Sequence, residues 1–275
     1  NDSTTLNLIR KYLKAGVMEN GLEKATITGV PQGGPLSVVC SNIYLDKLDK
    51  ELEQRGLRYT RYADDVLVFT KSEMAANRVM KSICSWLERK LFLKVNATKT
   101  KVVRPTRSKY LGFTFLKNGG EWKVKPTNEK KKKLKKKLSE YLKRGKATAR
   151  PLADIIKRVN EIVRGWINYF RIGMMKQFMG EFGKWLRHKI RVIVMKQWKK
   201  PKAIYRKLSY LNWKNRNGFS QEDIYKVANS RLGWYRRSGM NAVNFIISKD
   251  LLENRIKDGA GLLNPLSYYL VKVGI

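Results

Sequence analysis

Two adjacent carboxylates, Asp64 and Asp65, lie between two short runs of β-favouring residues at 57–62 and 66–69. This pattern predicts a strand, a tight turn and a second strand, with the acids at the turn. Mg²⁺ prefers oxygen ligands and is often held by one or two carboxylates together with substrate phosphates. The pair therefore indicates magnesium-dependent phosphoryl-transfer chemistry.

A second candidate site is the turn Pro31-Gln32-Gly33-Gly34-Pro35, which opens a predicted helix. Glycines let the backbone approach a ligand closely, and a helix N-terminus favours phosphate. The plainer interpretation is a turn with a proline at the helix start.

The charge distribution indicates a polyanionic partner. The 275 residues carry a formal charge of +37, and 43% of them are hydrophobic, which is enough for a folded core. Residues 1–100 hold 16 Lys/Arg and 11 Asp/Glu, whereas residues 101–275 hold 43 and 11. RNA or DNA fits this excess best. An anionic membrane is the competing partner, but we find no signal peptide and no apolar run of spanning length, so we expect no membrane.

The two cysteines, Cys40 and Cys84, sit in apolar helical contexts without metal-ligand spacing. We expect reduced, buried thiols, in keeping with a cytoplasmic protein. The single histidine, His188, lies among basic residues and is expected to be structural or RNA-facing. No Cys/His zinc cluster can form from these residues.

Up to about residue 125, strands and helices alternate, which indicates an α+β fold. Helices are predicted at 6–13, 36–52 and 73–90. Short strands are predicted at 26–29, 91–95 and 101–103, the last two flanking a turn at 96–100, and a hairpin at 110–115 and 122–124 has its turn at 118–120.

After Pro126 the pattern becomes helical. A helix at 129–143 places Leu134, Leu138 and Leu142 on one stripe and is crowded with Lys130, Lys131, Lys132, Lys133, Lys135, Lys136 and Lys137. The ordinary interpretation of such a run is a solvated face, but few acids balance it, so we favour phosphate contacts. A linker is predicted at 145–150.

Two long amphipathic helices are predicted at 152–170 and 177–198, with their aromatics packing between helices. From residue 201 the chain is basic and rich in aromatics, including Trp213, Arg231, Arg236 and Arg237. Such interleaving suits phosphate pairing and base stacking.

Four motifs in this order resemble those of reverse transcriptases. They are Pro-Gln-Gly-Gly from Pro31, Tyr-Ala-Asp-Asp from Tyr62, Asn-x-x-Lys-Thr from Asn96 and Tyr-Leu-Gly-Phe from Tyr110. Gly-Trp-Ile-Asn-Tyr-Phe from Gly165 resembles the maturase signature of the bacterial group II intron-encoded reverse transcriptase/maturase family, and Arg187 fits that family's next helix. Residues 228–231, 233–236 and 263–270 resemble the C-terminal region of its subclass without a DNA endonuclease.

The resemblance implies roles for matching residues. Asp64 and Asp65 are similar to the palm carboxylates that hold two Mg²⁺ ions, Asp64 being the stronger candidate for direct coordination. Pro31, Gln32, Gly33 and Lys99 correspond to nucleotide- or template-binding positions. Tyr62 and Ala63 would lie beside the primer end, and Tyr110, Leu111, Gly112 and Phe113 resemble the primer grip.

The resemblance also implies an architecture and partners. Residues 1–125 would be a partial polymerase palm, an antiparallel sheet with helices. Residues 126–200 would be an α-helical thumb/maturase bundle, and residues 201–275 a small basic DNA-binding-like region. The implied partners are group II intron RNA, a DNA target and primer, and deoxynucleoside triphosphates.

One feature of the family is not found in this sequence. The family's first metal-binding aspartate sits in a strand motif of the type Phe-Asp-x-x-x-His, which does not occur here. We therefore expect the third carboxylate to come from an N-terminal segment of the same enzyme, and we expect this sequence by itself not to polymerise.

Three functions remain in view. The leading one is an RNA-directed DNA polymerase that also serves as an intron maturase in splicing and retrohoming. The second is a non-catalytic RNA-binding splicing cofactor with a palm remnant as scaffold. The third is a reverse transcriptase of another bacterial class, such as a retron type, against which the motif from Gly165 and the basic C-terminal part argue.

Overall fold

The computed structural model describes residues 2–19, 22–24, 35–254 and 261–274 of the chain. They divide into two compact units, residues 1–104 and 105–275. The hairpin predicted at 110–124 belongs to the second unit, together with the long helices. The division into three domains at 1–125, 126–200 and 201–275 remains a prediction, because it was drawn from the family resemblance and the two units are defined by compactness.

The first unit packs a β-hairpin against two helices. Its described elements are α1 (Ser3–Lys14), β1 (Val17–Glu19), β2 (Leu22–Lys24), α2 (Pro35–Gln54), β3 (Arg58–Tyr62), β4 (Asp65–Phe69) and α3 (Glu73–Leu91). Strands β1 and β2 pair antiparallel, as do β3 and β4. The core is small: Leu48 and Leu52 of α2 and Leu91 of α3 are buried, with Tyr59 and Val68 packed on them.

The predicted strands at 91–95 and 101–103 are wrong, because Leu91 belongs to a helix and residues 92–95 and 101–103 are irregular in the structure. Helix α3 continues through Leu91 and ends where Phe92 adopts a left-handed φ of +53°. The Asn96 side chain then accepts hydrogen bonds from the backbone of Thr98 and Lys99, which confirms the turn but leaves no extended partner for either run. The strand predicted at 26–29 lies outside the described residues.

The second unit is mostly helical. Its described elements are a 3₁₀ turn (Pro105–Arg107), β5 (Phe113–Asn118), β6 (Glu121–Pro126), α4 (Asn128–Tyr141), α5 (Arg144–Ala147), α6 (Leu152–Phe170), α7 (Lys176–Gln197), α8 (Pro201–Asn215), α9 (Gln221–Ala228), α10 (Trp234–Arg237), α11 (Asn241–Ile246), α12 (Lys249–Asn254) and α13 (Pro265–Val273). Strands β5 and β6 pair antiparallel around a Gly119-Gly120 turn. The α+β expectation is thus confirmed in coarse form, with the described strands arranged as separate hairpins.

The core of the second unit follows the predicted stripes. Leu134, Leu138 and Leu142 are buried, as are the apolar faces of α6 and α7. Asn160 of α6 fastens the distant 261–263 segment by donating to the Gly261 carbonyl and accepting from Leu263 N, both at 2.8 Å. The predicted linker at 145–150 is partly wrong, since the short helix α5 runs into it and buries Ala147.

Two further expectations concern the surface. Cys40 and Cys84 are free thiols, but each is only partly buried, whereas full burial was expected. The partial burial of Cys84 raises the pKa of its thiol. Within the described residues, no helix combines the length and apolar character that a bilayer crossing requires.

Candidate active site and nucleic-acid surface

The acid-bearing turn joins β3 to β4 in a tight hairpin. Tyr62 pairs with Asp65 across the strands, so Ala63 and Asp64 form a two-residue loop. Ala63 has a φ of +52°, a region that a residue with a Cβ seldom adopts and that occurs preferentially at functional sites. Asp64 and Asp65 are both exposed. The hairpin thus exposes two carboxylates, consecutive in sequence, at its tight turn.

Strand alternation separates the hairpin's core face from its open face. Tyr59 and Val68, which are cross-strand partners, pack on the core of the first unit. Side chains alternate along a strand, so Tyr62 and its partner Asp65 belong to the other face. Tyr62 is 65% exposed in keeping with this placement. The hydrophobic pattern therefore turns Asp65 away from the core.

Arg61 holds the turn from its core side. Its Nε lies 2.8 Å from Asp49 Oδ1 on α2, and a second guanidinium nitrogen also pairs with that carboxylate. The same guanidinium donates to Asn42 Oδ1 at 2.9 Å and to the Ala63 carbonyl at 3.0 Å. Arg61 thus connects α2 directly to the strained residue that precedes Asp64. Sequence reasoning missed this role, although an arginine next to the acid motif was a visible signal.

The donor set at the turn fits a hard cation. Asp64 and Asp65 are consecutive residues that both offer carboxylate oxygens, the ligand type that Mg²⁺ uses alongside substrate phosphates. Across the described residues, no group of three or more acidic, histidine or cysteine side chains converges.

The remaining nucleotide-site predictions of the first unit are placed only in part. Lys99 is exposed in the Asn96 turn, where its backbone nitrogen donates to Asn96 Oδ1 at 3.2 Å. Pro31, Gln32 and Gly33 lie outside the described residues.

The Tyr-Leu-Gly-Phe motif forms a tight loop before β5, so the strand begins at Phe113 rather than at the predicted residue 110. Tyr110 and Phe113 exchange both backbone hydrogen bonds, at 3.0 and 2.8 Å. Between them, Leu111 and Gly112 have φ values of +50° and +84°. The positive φ of Gly112 favours glycine, and a Cβ there would also lie 3.3 Å from the Phe170 ring, while the exposed Lys130 side chain at 2.9 Å can move aside.

This loop meets the motif that begins at Gly165. The Tyr169 hydroxyl donates to the Leu111 carbonyl at 3.0 Å. The Phe113 ring lies 5.0 Å from the Phe170 ring and 6.0 Å from the Tyr169 ring. The fold therefore joins two motifs that are more than 50 residues apart in sequence.

The lysine-rich helix α4 has two kinds of lysine. Lys130, Lys132, Lys133, Lys136 and Lys137 are exposed, whereas Lys131 and Lys135 are partly buried. The ammonium groups of these two lie 5.1 and 5.8 Å from the centre of the Phe178 ring on α7.

The arginines that were predicted to bind nucleic acid also fall into an exposed and a buried group. Arg231 and Arg236 are exposed. Arg187 lies 3.6 Å from Glu253 in a largely buried ion pair. Arg237 is buried and donates to the Val227 carbonyl at 2.8 Å and to the Ala228 carbonyl. Arg237 is thus a helix-capping group at the end of α9, and its guanidinium is not presented to a nucleic acid.

His188 packs edge-on against Tyr235, with ring centroids 4.2 Å apart. Burial lowers the pKa of His188, and the nearby positive charge of Arg191 adds to this effect. Burial, assisted by Arg187, lowers the pKa of Arg191 itself to about 10. This strip of α7 is therefore a crowded, partly desolvated cluster of basic groups.

Comparisons with known proteins agree with the reverse-transcriptase motifs and with the maturase motif found in the sequence. Residues 2–115 match the family model for reverse transcriptase (RNA-dependent DNA polymerase), and residues 131–211 match the model for the group II intron maturase-specific domain. This chain belongs to the group II intron reverse transcriptase/maturase family. The first match includes the acid hairpin and the Tyr110 loop of this family member, and the second includes most of α4, with α6 and α7.

Two curated relatives show partial similarity. Protein YkfC of Escherichia coli (strain K12) is 30% identical over 149 residues, which are 42% of this chain and 38% of the relative. Group II intron-encoded protein LtrA of Lactococcus lactis subsp. cremoris is 45% identical over 60 residues, 22% of this chain and 10% of the relative. The matched segments thus span well under half of either relative's length.

Proposed function

We propose that this family member acts as an RNA-directed DNA polymerase whose metal-binding carboxylates are Asp64 and Asp65. The observation that carries the proposal is the Tyr62–Asp65 hairpin, in which Arg61 fixes the turn and both acids face solvent. A nucleotidyl transfer needs charge neutralisation and positioning at the reacting phosphate more than covalent chemistry.

In this proposal Asp64 and Asp65 hold Mg²⁺, which when bound stabilises the charge on the attacking and leaving oxygens of the transfer. The protein's own contribution is to orient the two carboxylates. In the same proposal Tyr62, on the same face as Asp65, contacts the primer end, and the exposed Lys99 attracts the triphosphate. The Tyr110–Phe113 loop, rigidified by Tyr169, acts as the primer grip.

We further propose that the basic second unit binds intron RNA as a maturase. Residues 101–275 hold 43 Lys/Arg, and all of these except Lys101 and Arg104 belong to the second unit and provide the charge for that surface. The lysines of α4, with the exposed Arg231 and Arg236, supply the phosphate contacts. Exposed aromatic side chains provide surfaces on which bases stack. Trp213 of α8 is 75% exposed, and the centre of its ring lies 6.3 Å from that of Tyr210.

The polymerase proposal is tested with Asp64→Asn in the protein that carries this chain. Metal assistance is worth several kcal/mol, so primer extension on an RNA template should fall by roughly a hundredfold or more. Asp46→Asn, which removes another exposed carboxylate of the same unit, should leave extension unchanged. Mn²⁺ titration followed by electron paramagnetic resonance should show weaker binding only for the Asp64 variant. Undiminished extension by Asp64→Asn would contradict the assignment.

A non-catalytic splicing cofactor is the second candidate function, because the excess positive charge lies in residues 101–275, outside the sequence segment that contains the acid hairpin. RNA binding and splicing stimulation by the wild-type protein, without extension under any metal condition, would favour it. The Asp64→Asn variant separates the two candidates, since it should retain RNA binding in both.

A further inference from the structure

A lysine-lined cleft lies in the second unit between the β5–β6 hairpin, α4 and the start of α7. Its volume is about 820 Å³. Its charged lining consists of Lys125, Lys131, Lys132, Lys135, Lys176 and Glu181. Three separate elements of the fold thus bring five ammonium groups to one concavity that contains one carboxylate.

The charges in this cleft are poorly neutralised. Within the described part of the chain, none of the five lysines has a carboxylate within ion-pair distance. Glu181 accepts a hydrogen bond from Gln177 at 3.2 Å. Burial lowers the pKa of Lys131, and the positive charge of Lys125 lowers it further.

Phe178 positions two of the lysines. The Lys131 and Lys135 ammonium groups lie over its ring, which attracts cations through the negative potential of its face. A lysine held this way loses less side-chain entropy on binding an anion than a freely moving surface lysine. The exposed lysines on the opposite side of α4, such as Lys133 and Lys137, have no described aromatic contact of this kind.

The start of α7 adds to the positive potential. Helix α7 begins at Lys176, its N-cap residue Met175 supplies no capping side chain, and its first turn contains no acid. A helix N-terminus carries a partial positive charge that an acid normally offsets. Here Lys176 increases it, and the residues from Met174 to Phe178 all line the cleft.

We propose that this cleft binds backbone phosphates of RNA, held between Lys131, Lys135 and Lys176 at the first turn of α7. The inference rests on the proposed RNA binding and deepens it, because it separates the α4 lysines into a built phosphate site and an outer, less ordered row. Phe178 and Met174 form an apolar floor for the attached sugar or base.

The test compares two double variants of the full chain. The first, Lys131→Gln/Lys135→Gln, alters the cleft and is called the cleft pair. The second, Lys133→Gln/Lys137→Gln, removes the same charge from the exposed side of the same helix and is called the outer pair. With single-stranded RNA, the cleft pair should reduce the slope of log K against log salt by about 1.4, which means about a sevenfold smaller change in Kd between 50 and 200 mM salt. The outer pair should reduce it by less than half as much. Lys131→Arg/Lys135→Arg should restore the slope.

A second readout monitors the cleft directly. Pyrophosphate is titrated into protein labelled with ¹³C at the methionine methyl groups. Met174, which lines the cleft, should shift, whereas Met74 of α3, 72% exposed in the first unit, should not. The Met174 shift should disappear in the cleft pair and persist in the outer pair. If the cleft pair loses its helical circular dichroism, Lys125→Gln/Lys176→Gln replaces it with the same expectations.

The outcomes separate the two proposals. RNA binding with equal slope changes for both pairs, or a Met174 signal indifferent to pyrophosphate, would overturn the cleft alone. A Met174 shift with a hexaglutamate peptide but not with pyrophosphate would do the same and would favour a protein partner. A wild-type chain without measurable RNA affinity would contradict the proposed RNA binding itself.

Discussion

Arg61 and Asp49 form an ion pair in which Arg61 Nε donates to Asp49 Oδ1 at 2.8 Å, beneath the turn that carries Asp64. The two side chains are only 13% and 22% exposed. Partial burial strengthens the attraction, and the remaining guanidinium donors reach Asn42 and the Ala63 carbonyl. The pair therefore couples the position of α2 to the conformation of the acid hairpin.

Replacing Arg61 by lysine should disturb this coupling. Lysine cannot reproduce the forked contact with Asp49 and Ala63 together. We expect a loss of roughly 1.5–3 kcal/mol in the free energy of unfolding, the usual value of a hydrogen bond to a charged group. Urea unfolding measures the loss, and Mn²⁺ affinity at Asp64 should fall with it. Arg58→Lys, at an exposed site of the same strand, is the control. Equal small effects at both sites would argue against a positioning role.

Gly112 and Gly120 offer a matched pair for the primer-grip loop. Their φ values are +84° and +85°, but a Cβ meets Lys130 and Phe170 at Gly112 and open space at Gly120. Both alanine variants should suffer the backbone strain. Gly112→Ala should lose about 1 kcal/mol more, the low end of the overpacking cost, because the Phe170 ring must shift slightly while the exposed Lys130 side chain can move aside. Urea unfolding followed by circular dichroism compares them. Equal losses would show that the contact with α4 and α6 can relax.

Trp213 should contribute to binding of unpaired RNA. Base stacking on an aromatic side chain is worth roughly 1–3 kcal/mol, so Trp213→Ala should weaken the affinity for a uridine-rich single strand by roughly 5- to 140-fold. Trp213→Phe should recover much of this affinity. Thermal unfolding should change little, since the side chain is 75% exposed. Equal weakening for single-stranded and fully duplex RNA would contradict a stacking role.

The pH dependence of stability should carry a contribution from His188, the single histidine of the sequence. Its pKa is lowered in the folded protein by burial and by Arg191, so the unfolded chain takes up the proton first. The free energy of unfolding should therefore fall as pH drops below about 6.5, the unperturbed pKa. The fall should stop once the pH is below the folded pKa.

His188→Gln should remove that contribution. Urea unfolding at pH 7.5 and pH 5.5 should show a larger loss for wild type than for the variant, because carboxylate titration is common to both. An identical loss in the two proteins would mean that His188 titrates normally.

Local pattern was sufficient for most elements. The apolar stripe of Leu134, Leu138 and Leu142 and the full extent of α6 were predicted from helical spacing and are confirmed. The hairpin around Asp64 was predicted from strand alternation and a short turn, and is confirmed. These features depend on residues near one another in the chain, so their periodicity is visible in the sequence.

Isolated short strands were less predictable. The run at 91–95 has β-favouring residues, but a strand exists only where a partner pairs with it, and Leu91 is instead the last residue of α3. β-Propensity reflects packing on a partner more than an intrinsic backbone preference. The sequence alone could not show that this partner was missing among the described elements.

The sequence by itself determined the motifs, the charge and the helical framework. Only the tertiary structure decided which of the basic side chains in each motif or helix are exposed and which are engaged by other parts of the protein. Arg236 and Arg237 are neighbours with the same charge, yet Arg237 is buried because the carbonyl end of α9 reaches its guanidinium. Lys131 and Lys133 lie on one helix, yet only Lys131 meets Phe178 of a helix more than 40 residues further along. Burial and charge partners depend on contacts that are distant in sequence, and local spacing contains no record of them.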